Sequence, residues 1–325
     1  MKLLDLYITH YDEPWEVCRP GFEMLKNQRC VDWDQVRVTL VHDGTELFDE
    51  ALFAGYPFPL RQVSIPHLGI AGARNWCLDD AQAEWIKWND CDDFFTSAYS
   101  LKGLMSGLEQ AADFDMMWFD VYAEMKGSRY LKNERDPVVL HGKAFRRAFI
   151  KGHGIRFNED LTWCEDSAFL AVLEMEIDAA RIAKITADCP IYTWIYRPGS
   201  LCNRPEIRFE NLKSFFRRHV YVAEEFKRRG LMDEYRTMVA RIACDSFYTL
   251  EVAGVTEDTS AHERAVWEYL KAHRAELLRV RMSAFDQVVE ATNRENDDCS
   301  ITKAEVLAWL KGLRLKYENG GMTNA

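Results

Sequence analysis

Three aspartates close together in the sequence carry the clearest chemical signal. Asp90, Asp92 and Asp93 fall within four positions, directly after the strand-like segment 84–89 (EWIKWN). Carboxylates packed this tightly repel one another unless a cation or hydrogen bonds compensate. A D-x-D arrangement suits Mg²⁺ or Mn²⁺, which proteins hold with one or two carboxylates while phosphate oxygens and water complete the coordination shell. The alternative is a solvated loop in which Asp93 caps a following helix.

A second acidic pair, Glu165-Asp166, stands at the start of the apolar helical run 167–177. A carboxylate held on a rigid helix can act as a general base towards a substrate hydroxyl. Acids in the first turn of a helix also interact favourably with the helix dipole, so ordinary helix capping is the other interpretation of this pair.

The elements that must position these acids alternate between strands and helices over the first 125 residues. Such alternation predicts an α/β fold with a mostly parallel sheet and crossover helices. Ligands of these sheets lie beyond the carboxyl ends of the strands, so the three aspartates should face the ligand crevice. The predicted strands are 3–9, 35–42, 60–65, 84–89 and 116–124, and the predicted helices are 16–28, 71–83 and 97–112.

After Glu206 the pattern becomes helical throughout. We therefore predict a boundary near Arg204-Pro205, with an α/β catalytic domain at 1–204 and a helical domain at 205–325 that serves acceptor binding or oligomerisation. A basic cluster, residues 217–218 and 227–229, lies in the first of these helices and is either a solvated helix face or a contact for an anionic acceptor or membrane surface. The predicted helices are 206–229, 232–252, 262–280 and 303–317.

The charge of the chain is uneven. Its 325 residues include 41 Lys and Arg and 52 Asp and Glu, a net charge of −11, and this surplus lies entirely in the first 200 residues. A surplus of acids argues against a general polyanion binder, because phosphate-rich partners require basic surfaces. The 48% of apolar residues can fill a core, which excludes an intrinsically disordered chain and a disulfide mini-protein.

Cysteine usage and the N-terminus suggest a compartment. The nine cysteines include no C-x-x-C pair, so neither a zinc site nor a disulfide framework is expected. Asp5 interrupts the apolar start of the chain, and no apolar run approaches the roughly 20 residues of a membrane span. We therefore expect a reducing, cytoplasmic location without a transmembrane segment.

Taken in order, several short motifs resemble those of glycosyltransferase family 2, the inverting sugar transferases of GT-A fold. Residues 69–78 are similar to the family's G-x-x-x-A-R-N-x-G-L, residues 88–93 stand in the position of L-D-x-D-D, and residues 165–169 match E-D-S-x-F. The resemblance covers about residues 3–203 and implies a GT-A, Rossmann-like sheet with a C-terminal helical extension. The other matching blocks are 8–13, 38–45, 141–150, 155–157, 190–192 and 197–200.

The resemblance implies a nucleotide pocket on the first strands. Thr9, Tyr11, Asp43 and Arg74 match this pocket, with Asp43 accepting from the base and Arg74 lying against the base or the phosphates. Two departures stand out. His42 replaces the first of the two usual aspartates, and the turn after the first strand lacks the usual Pro and Asn.

The resemblance also implies metal-binding and catalytic roles. Asp90 matches the residue near the ribose and the metal, and Asp92 matches the principal ligand of Mn²⁺ or Mg²⁺. Asp93 is adjacent and supports them in the nucleotide-sugar site. Asp166 matches the catalytic base, with Glu165 as its neighbour.

Two further points follow from the match. His141 and His153 are candidates for an additional metal ligand, but both match the family poorly and are expected to be structural. The residues after Ser200 lack the Q-x-x-R-W signature of processive synthases, which favours the transfer of single sugars.

The predicted function is therefore inverting, metal-dependent transfer of one sugar from a nucleotide sugar, with UDP favoured by the family, to a hydroxyl of a glycan or surface polysaccharide. One alternative is a glycosyltransferase that acts on a modified base of a nucleic acid. Another is an inactive protein that only binds sugar nucleotides. A nucleotidyltransferase would need a glycine-rich phosphate loop near the N-terminus, and residues 9–14 do not form one.

Overall fold

The protein is divided into two compact units, residues 1–203 and residues 204–325. Its structure, a computed structural model, describes residues 2–127, 129–133, 139–185, 189–200, 208–296 and 299–319, so the expected boundary at Arg204 and Pro205 lies outside the described residues. The strands of the first unit are β1 (Leu4–His10), β2 (Val36–Asp43), β3 (Leu60–Ile65), β4 (Trp85–Asp90), β5 (Phe94–Phe95), β6 (Met116–Trp118), β7 (Val121–Met125), β8 (Arg129–Asn133), β9 (Lys143–Arg146), β10 (Ile182–Lys184) and β11 (Tyr192–Trp194), and its helices are α1 (Trp15–Lys26), α2 (Gly69–Asp80), α3 (Ser100–Glu109), α4 (Arg147–His153) and α5 (Glu165–Glu174).

A seven-stranded sheet forms the centre of the first unit, in the order β10-β6-β9-β4-β1-β2-β3. The strands β4, β1, β2 and β3 run parallel, and Leu4 pairs with Val36 on one side and with Trp85 on the other. Every residue of β1 is buried, as expected of a central parallel strand covered on both faces. The strand β9 runs antiparallel between β4 and β6. This is the mostly parallel α/β sheet predicted from the sequence.

The helices α1 and α3 bury one face each, whereas α2 is buried over most of its length. In α1, the residues Cys18, Phe22 and Leu25 recur at helical spacing and join the core beside β1 and β2. In α3, Leu101, Leu104 and Leu108 do the same, so the three helices predicted in this region are confirmed to within three residues at each end.

The expectation of a single strand at residues 116–124 is wrong. The chain forms β6 and then β7, and the two strands belong to different sheets. At the break, Asp120 forms ion pairs with Lys132 and Lys184 at 2.9 Å each, and the Phe119 amide donates to the Gly142 carbonyl at 3.0 Å. The strand β7 instead enters a second, four-stranded sheet in the order β5-β11-β7-β8.

The second unit is helical over its described residues, as predicted. Its core contains Tyr235 and Val239 of one helix, packed with Val266, Phe285 and other apolar side chains. The sequence analysis missed one helix, at Met282–Glu295. No described helix is long and apolar enough to cross a membrane. The helices are α6 (Arg208–Arg228), α7 (Met232–Phe247), α8 (Ser260–Ala272), α9 (Arg274–Leu277), α10 (Met282–Glu295) and α11 (Lys303–Arg314), and π-helical turns follow α7 and α11.

The basic cluster at the end of α6 is largely neutralised by its own helix. Arg228 lies 3.1 Å from Glu225, and Arg229 also pairs with Glu225. Lys227 lies 3.5 Å from Glu224. Pairs at i, i+3 and i, i+4 are typical of a solvated helix face, so the structure favours that interpretation of the cluster.

Asp5, the acid that interrupts the apolar N-terminus, fastens the start of β1 to its neighbours. It is 1% exposed. Its Oδ1 accepts from Arg37 Nε at 2.6 Å, and its Oδ2 accepts from the amides of Gln82 and Ala83 at 2.6 and 2.8 Å. One carboxylate therefore joins β2 and the turn that enters β4 to β1.

We expect Asp5→Asn to lower the free energy of unfolding by about 1–3 kcal/mol, because the asparagine side chain cannot accept from Arg37 and from both backbone amides at once, while Arg37 keeps Asp80 as a charge partner. Asp34→Asn, at an exposed position just before β2, is the matched control and should change that free energy by less than about 0.5 kcal/mol. Urea unfolding followed by circular dichroism measures both. Equal stabilities of the two variants would contradict this role of Asp5.

Candidate active site

Asp90 ends β4 beside Thr9 of the parallel strand β1, so the two residues share one edge of the sheet. Its Oδ1 accepts from Thr9 Oγ1 and from Arg74 Nη2, each at 3.2 Å. Its Oδ2 lies 3.1 Å from His141 Nε2. Burial alone would raise the pKa of Asp90, but His141 and Arg74 together hold that pKa well below its usual range. Asp90 is therefore an ionised carboxylate.

Asp93 is a buried acceptor and does not cap a helix. It is 4% exposed. Its Oδ2 accepts from the Tyr192 hydroxyl and its Oδ1 from the Ile195 amide, each at 2.8 Å, and the next helix begins only at Ser100. Burial and the neighbouring acids raise the pKa of Asp93 well above its usual range. The alternative of a solvated loop with a helix cap is thus wrong for this residue.

Asp92 is held by an arginine from a distant part of the chain. Arg197 Nε donates to Asp92 Oδ2 at 2.9 Å, and Arg197 Nη2 donates to Glu13 Oε1 at 3.1 Å. Burial and the Asp90 carboxylate raise the pKa of Asp92, whereas Arg197 lowers it. The guanidinium therefore bridges the acid loop and the turn that follows β1.

A buried lysine lies behind the acids. Lys87 Nζ donates to Asn89 Oδ1 at 2.6 Å and to the carbonyls of Trp88 and His141 at 3.1 Å. Burial lowers the pKa of Lys87 to about 7, and the carboxylates of the acid cluster keep it from falling further. The acid cluster is thus in contact with positive groups of the chain itself.

Glu165 and Asp166 begin α5 but have different surroundings. Glu165 is buried, and its Oε1 accepts from Arg74 Nη1 at 2.5 Å. Burial and the Asp166 carboxylate raise the pKa of Glu165 to about 7, against the effect of Arg74. Asp166 is only half-buried, and its Oδ1 accepts from the Ser167 amide at 2.7 Å. Arg74 connects the two acidic groups, because it contacts both Asp90 and Glu165.

The turn before α5 adopts a backbone conformation that is rare for its residue type. Cys164 has φ 65° and ψ 17°, in the left-handed region, which is strained for a residue with a side chain. Its carbonyl accepts from Ser167 Oγ at 3.1 Å and from the Ala168 amide at 3.0 Å. This turn sets the direction in which the acidic pair enters the helix.

Of the residues predicted for the nucleotide pocket, Thr9, Tyr11 and Asp43 lie at the ends of β1 and β2, and Arg74 lies in α2. Asp43 Oδ1 accepts from the Leu68 amide at 2.6 Å, and its Oδ2 lies 3.0 Å from His67 Nδ1. Tyr11 is 53% exposed and stacks on His67 with ring centroids 4.5 Å apart. His67 connects Tyr11 and Asp43, because it contacts both side chains. His67 was not predicted from the sequence to belong to the nucleotide pocket.

His42, which replaces an aspartate of the family pattern, points into the protein. It is fully buried. Its Nδ1 lies 3.0 Å from His10 Nδ1, and its Nε2 lies 3.1 Å from Gln62 Oε1. Burial and the neighbouring His10 lower the pKa of His42 to about 4. Of positions 42 and 43, only Asp43 therefore supplies a carboxylate.

Three side chains offer ligand atoms close enough for one metal ion. Atoms of Asp90, Asp93 and His141 all lie within 4.8 Å of one another. Buried His141 Nδ1 has no hydrogen-bond partner among the described residues. Carboxylate oxygens with one imidazole nitrogen fit Mn²⁺ or Mg²⁺. Asp92, predicted as the principal ligand, is not part of this group.

The two histidines proposed from the sequence have separate surroundings. His141 lies in the short 3₁₀ turn Leu140–Gly142, and its ring stacks on Tyr192 at 5.4 Å. His153 ends α4, is exposed, and lies 3.0 Å through Nδ1 from the Phe149 carbonyl of its own helix. Only His141 contacts the acids.

Tyr192 and Arg197 were not predicted as site residues. Both lie in blocks that match the family, which is the one sequence signal that could have indicated them.

The model of glycosyl transferase family 2 matches residues 5–171, just over half of the chain. The chain belongs to this family. It is therefore a glycosyltransferase, and the matched region contains the acid cluster, Arg74 and the Glu165-Asp166 pair.

A curated relative and two solved structures are similar to this glycosyltransferase. The teichoic acid poly(glycerol phosphate) polymerase of Staphylococcus epidermidis is 25% identical over an alignment of 193 residues, and the match covers 52% of this chain and 26% of the relative. The chain thus spans about a quarter of that protein's length. S. aureus TarS 1–349 in complex with UDP is 15% identical with a TM-score of 0.63, covering 100% of this chain and 93% of the other. The complex with UDP-GlcNAc is 17% identical with a TM-score of 0.60, covering 98% and 92%. These likenesses show the GT-A fold.

The acid loop depends on close packing against α1. A Cβ at Gly21 would lie 2.4 Å from the Asp93 carbonyl oxygen and 3.4 Å from that of Cys91. Since a Cβ atom cannot lie so close to a carbonyl oxygen, the acid loop and α1 would have to move apart.

We expect Gly21→Ala to lower the free energy of unfolding by about 1–3 kcal/mol, the usual effect of overpacking. Gly103→Ala is the matched control, because a Cβ at this position in α3 would meet no atom within 4 Å; alanine there should stabilise the helix by up to about 1 kcal/mol. Thermal unfolding measures both variants. A Gly21→Ala protein as stable as the control would contradict the contact.

Proposed function

We propose that this glycosyltransferase moves a single sugar from a nucleotide sugar to an acceptor hydroxyl, with inversion at the anomeric carbon and with a divalent metal ion. The observation that supports this most directly is the position of Arg74, whose guanidinium contacts both Asp90 and Glu165. Arg74 therefore lies between the acid cluster, which could bind a metal ion, and the Glu165-Asp166 pair, which could take a proton.

The donor in this proposal is a UDP-sugar. Its nucleotide lies against Thr9, Tyr11, Asp43 and Arg74, at the carboxyl ends of the parallel strands, where ligands of such sheets bind. Asp43 accepts from the base, and exposed Tyr11 offers a face on which a base can stack. The structural similarity to TarS, solved with UDP and with UDP-GlcNAc, supports this donor class.

The metal in this proposal is Mn²⁺ or Mg²⁺, held by Asp90 with Asp92 beside it and with His141 as a further ligand. Asp93 stabilises the acid loop by accepting a hydrogen bond from the Tyr192 hydroxyl. A metal ion bound there supplies Lewis-acid stabilisation of the charge that develops on the leaving nucleoside diphosphate. Arg197 donates to Asp92 Oδ2, so Asp92 would offer its other oxygen, Oδ1, to the ion.

The proton of the acceptor hydroxyl goes to Asp166 in this proposal. Its carboxylate is half-buried at the start of α5, so an acceptor from solution can reach it. Glu165 is buried against Arg74 and orients the start of the helix. As the acceptor oxygen attacks the anomeric carbon from the face opposite the nucleotide, Asp166 removes its proton, and the bond to the diphosphate breaks in the same step.

The acceptor in this proposal is a hydroxyl of a glycan or surface polysaccharide. Similarity to a teichoic acid polymerase supports this class. A nucleic-acid acceptor is less well supported, because the basic residues at 227–229 have glutamate partners on α6. We assign acceptor binding or oligomerisation to the helical unit, and the cytoplasmic location stays a prediction.

Asp166→Asn should reduce the release of UDP from UDP-GlcNAc in the presence of Mn²⁺ by about 10²–10⁴-fold, the usual contribution of a general base. The binding of UDP with Mn²⁺ should stay within about twofold of the wild type, because Asp166 does not touch the nucleotide pocket. Asp160→Asn, an exposed position before α5, is the control and should keep full turnover.

Normal turnover by Asp166→Asn would show that another group is the base. A wild-type protein that binds UDP and Mn²⁺ but turns over no UDP-sugar would instead support the inactive sugar-nucleotide-binding protein.

The metal assignment is tested by the shift in thermal midpoint that UDP produces with Mn²⁺ or with EDTA, since a ligand that binds only the folded form stabilises it. We expect UDP to stabilise the wild type much more with Mn²⁺, and His141→Ala and Asp92→Ala to lose most of that difference. His153→Ala is the matched control and should keep it. A full Mn²⁺-dependent shift in His141→Ala would remove His141 from the ligand set.

A further inference from the structure

Lys87 is an unusual residue for its place in the fold. It lies in the middle of β4, the central strand of the main sheet, and is 0% exposed. Its neighbours Ile86 and Trp88 are buried apolar residues. Burying a charged amine costs free energy that a methionine of similar length would not, so the amine needs a reason to be there.

The hydrogen bonds of Lys87 suit an ammonium ion. Nζ has three oxygen atoms within 3.1 Å, Asn89 Oδ1 and the carbonyls of Trp88 and His141. Each of these oxygens can only accept. Three acceptors require three N–H groups, which the neutral amine does not have. The ammonium also lies 4.4 Å from the centre of the Tyr192 ring, the geometry of a cation–π contact.

The groups around this ammonium are the same groups that hold the acids. His141, whose carbonyl accepts from Lys87, directs Nε2 at Asp90. Tyr192, whose ring covers Lys87, donates its hydroxyl to Asp93 and accepts from the Asp90 amide at 3.2 Å. Lys87 thus joins β4, the 3₁₀ turn Leu140–Gly142 and β11 beneath the acid cluster.

We propose that Lys87 is a positioning residue: a buried counter-cation that keeps Asp90, Asp93 and His141 assembled when no metal ion is bound. Its charge offsets the repulsion between the carboxylates. Its hydrogen bond to the His141 carbonyl holds that turn in place, and its cation–π contact holds the Tyr192 ring. The role depends on the metal site of the proposed function, but its main test needs no metal, so each can fail without the other.

The test is a double-mutant cycle of thermal midpoints in EDTA. Lys87→Met should lower the midpoint by roughly 10 °C, because it removes three buried hydrogen bonds and a positive charge that offsets the acid cluster. Asp90→Asn should lower the midpoint of the wild type, since it weakens the contacts with Arg74 and His141. In the Lys87→Met background, however, Asp90→Asn also removes the charge that has lost its partner, so the double variant should melt at or above Lys87→Met.

Lys143→Met is the matched control. Lys143 is also a buried lysine of the main sheet, 1% exposed, with its ammonium 4.7 Å from the Trp118 ring. Its removal should lower the midpoint, but the effect of Asp90→Asn should simply add to it. If Asp90→Asn lowers the midpoint of Lys87→Met as much as that of the wild type, Lys87 acts only by packing and the proposal is wrong.

Lys87→Gln keeps a hydrogen-bond donor without the charge, and the same cycle is run with it if Lys87→Met yields no folded protein. A second readout is the affinity for Mn²⁺, measured by electron paramagnetic resonance. Loss of the buried positive charge should make Lys87→Gln bind Mn²⁺ about tenfold more tightly, and Lys143→Met should leave the affinity unchanged. An affinity of Lys87→Gln within twofold of the wild type would contradict the charge role. If the wild type binds no Mn²⁺, the double-mutant cycle of thermal midpoints is the test of the proposal.

Discussion

Repulsion among the carboxylates after β4 is the constraint on which the rest of the site depends. Every acid of the cluster has a positive or hydrogen-bonding partner from another element. Asp90 contacts Arg74 and His141, Asp92 contacts Arg197, and Asp93 accepts from Tyr192. The fold thus brings a compensating partner for each carboxylate to one edge of the sheet.

Two backbone features make that convergence geometrically feasible. The glycine at position 21 lets α1 approach the carbonyls of the acid loop. The break between β6 and β7 lets the chain leave the main sheet and build the second sheet, where β7 pairs with β11 and β11 pairs with β5. Without this second sheet, Tyr192 and the residues after it would have no fixed position beside the loop.

Much of this architecture can be read from the sequence, because it depends on local patterns. The parallel strands, the acid loop and the acidic start of α5 follow from short apolar runs that end in carboxylates. The break at Asp120 could not be predicted, since it depends on ion pairs with Lys132 and Lys184 that no local pattern indicates. The partners of the acids were missed for the same reason: Lys87 looks like a polar interruption of a strand until its acceptors, one of them in the turn at His141, are known.

The separation of acids and cations along the chain has a consequence for how this site is made. All three aspartates have been synthesised once the chain reaches residue 93, whereas His141, Tyr192 and Arg197 are still to come. A nascent chain therefore carries the acids with Lys87 and Arg74 but without most of their other partners. Domains fold largely as units during synthesis. The edge of the sheet that carries the candidate active site therefore forms late, after β11 has paired with β5 and β7.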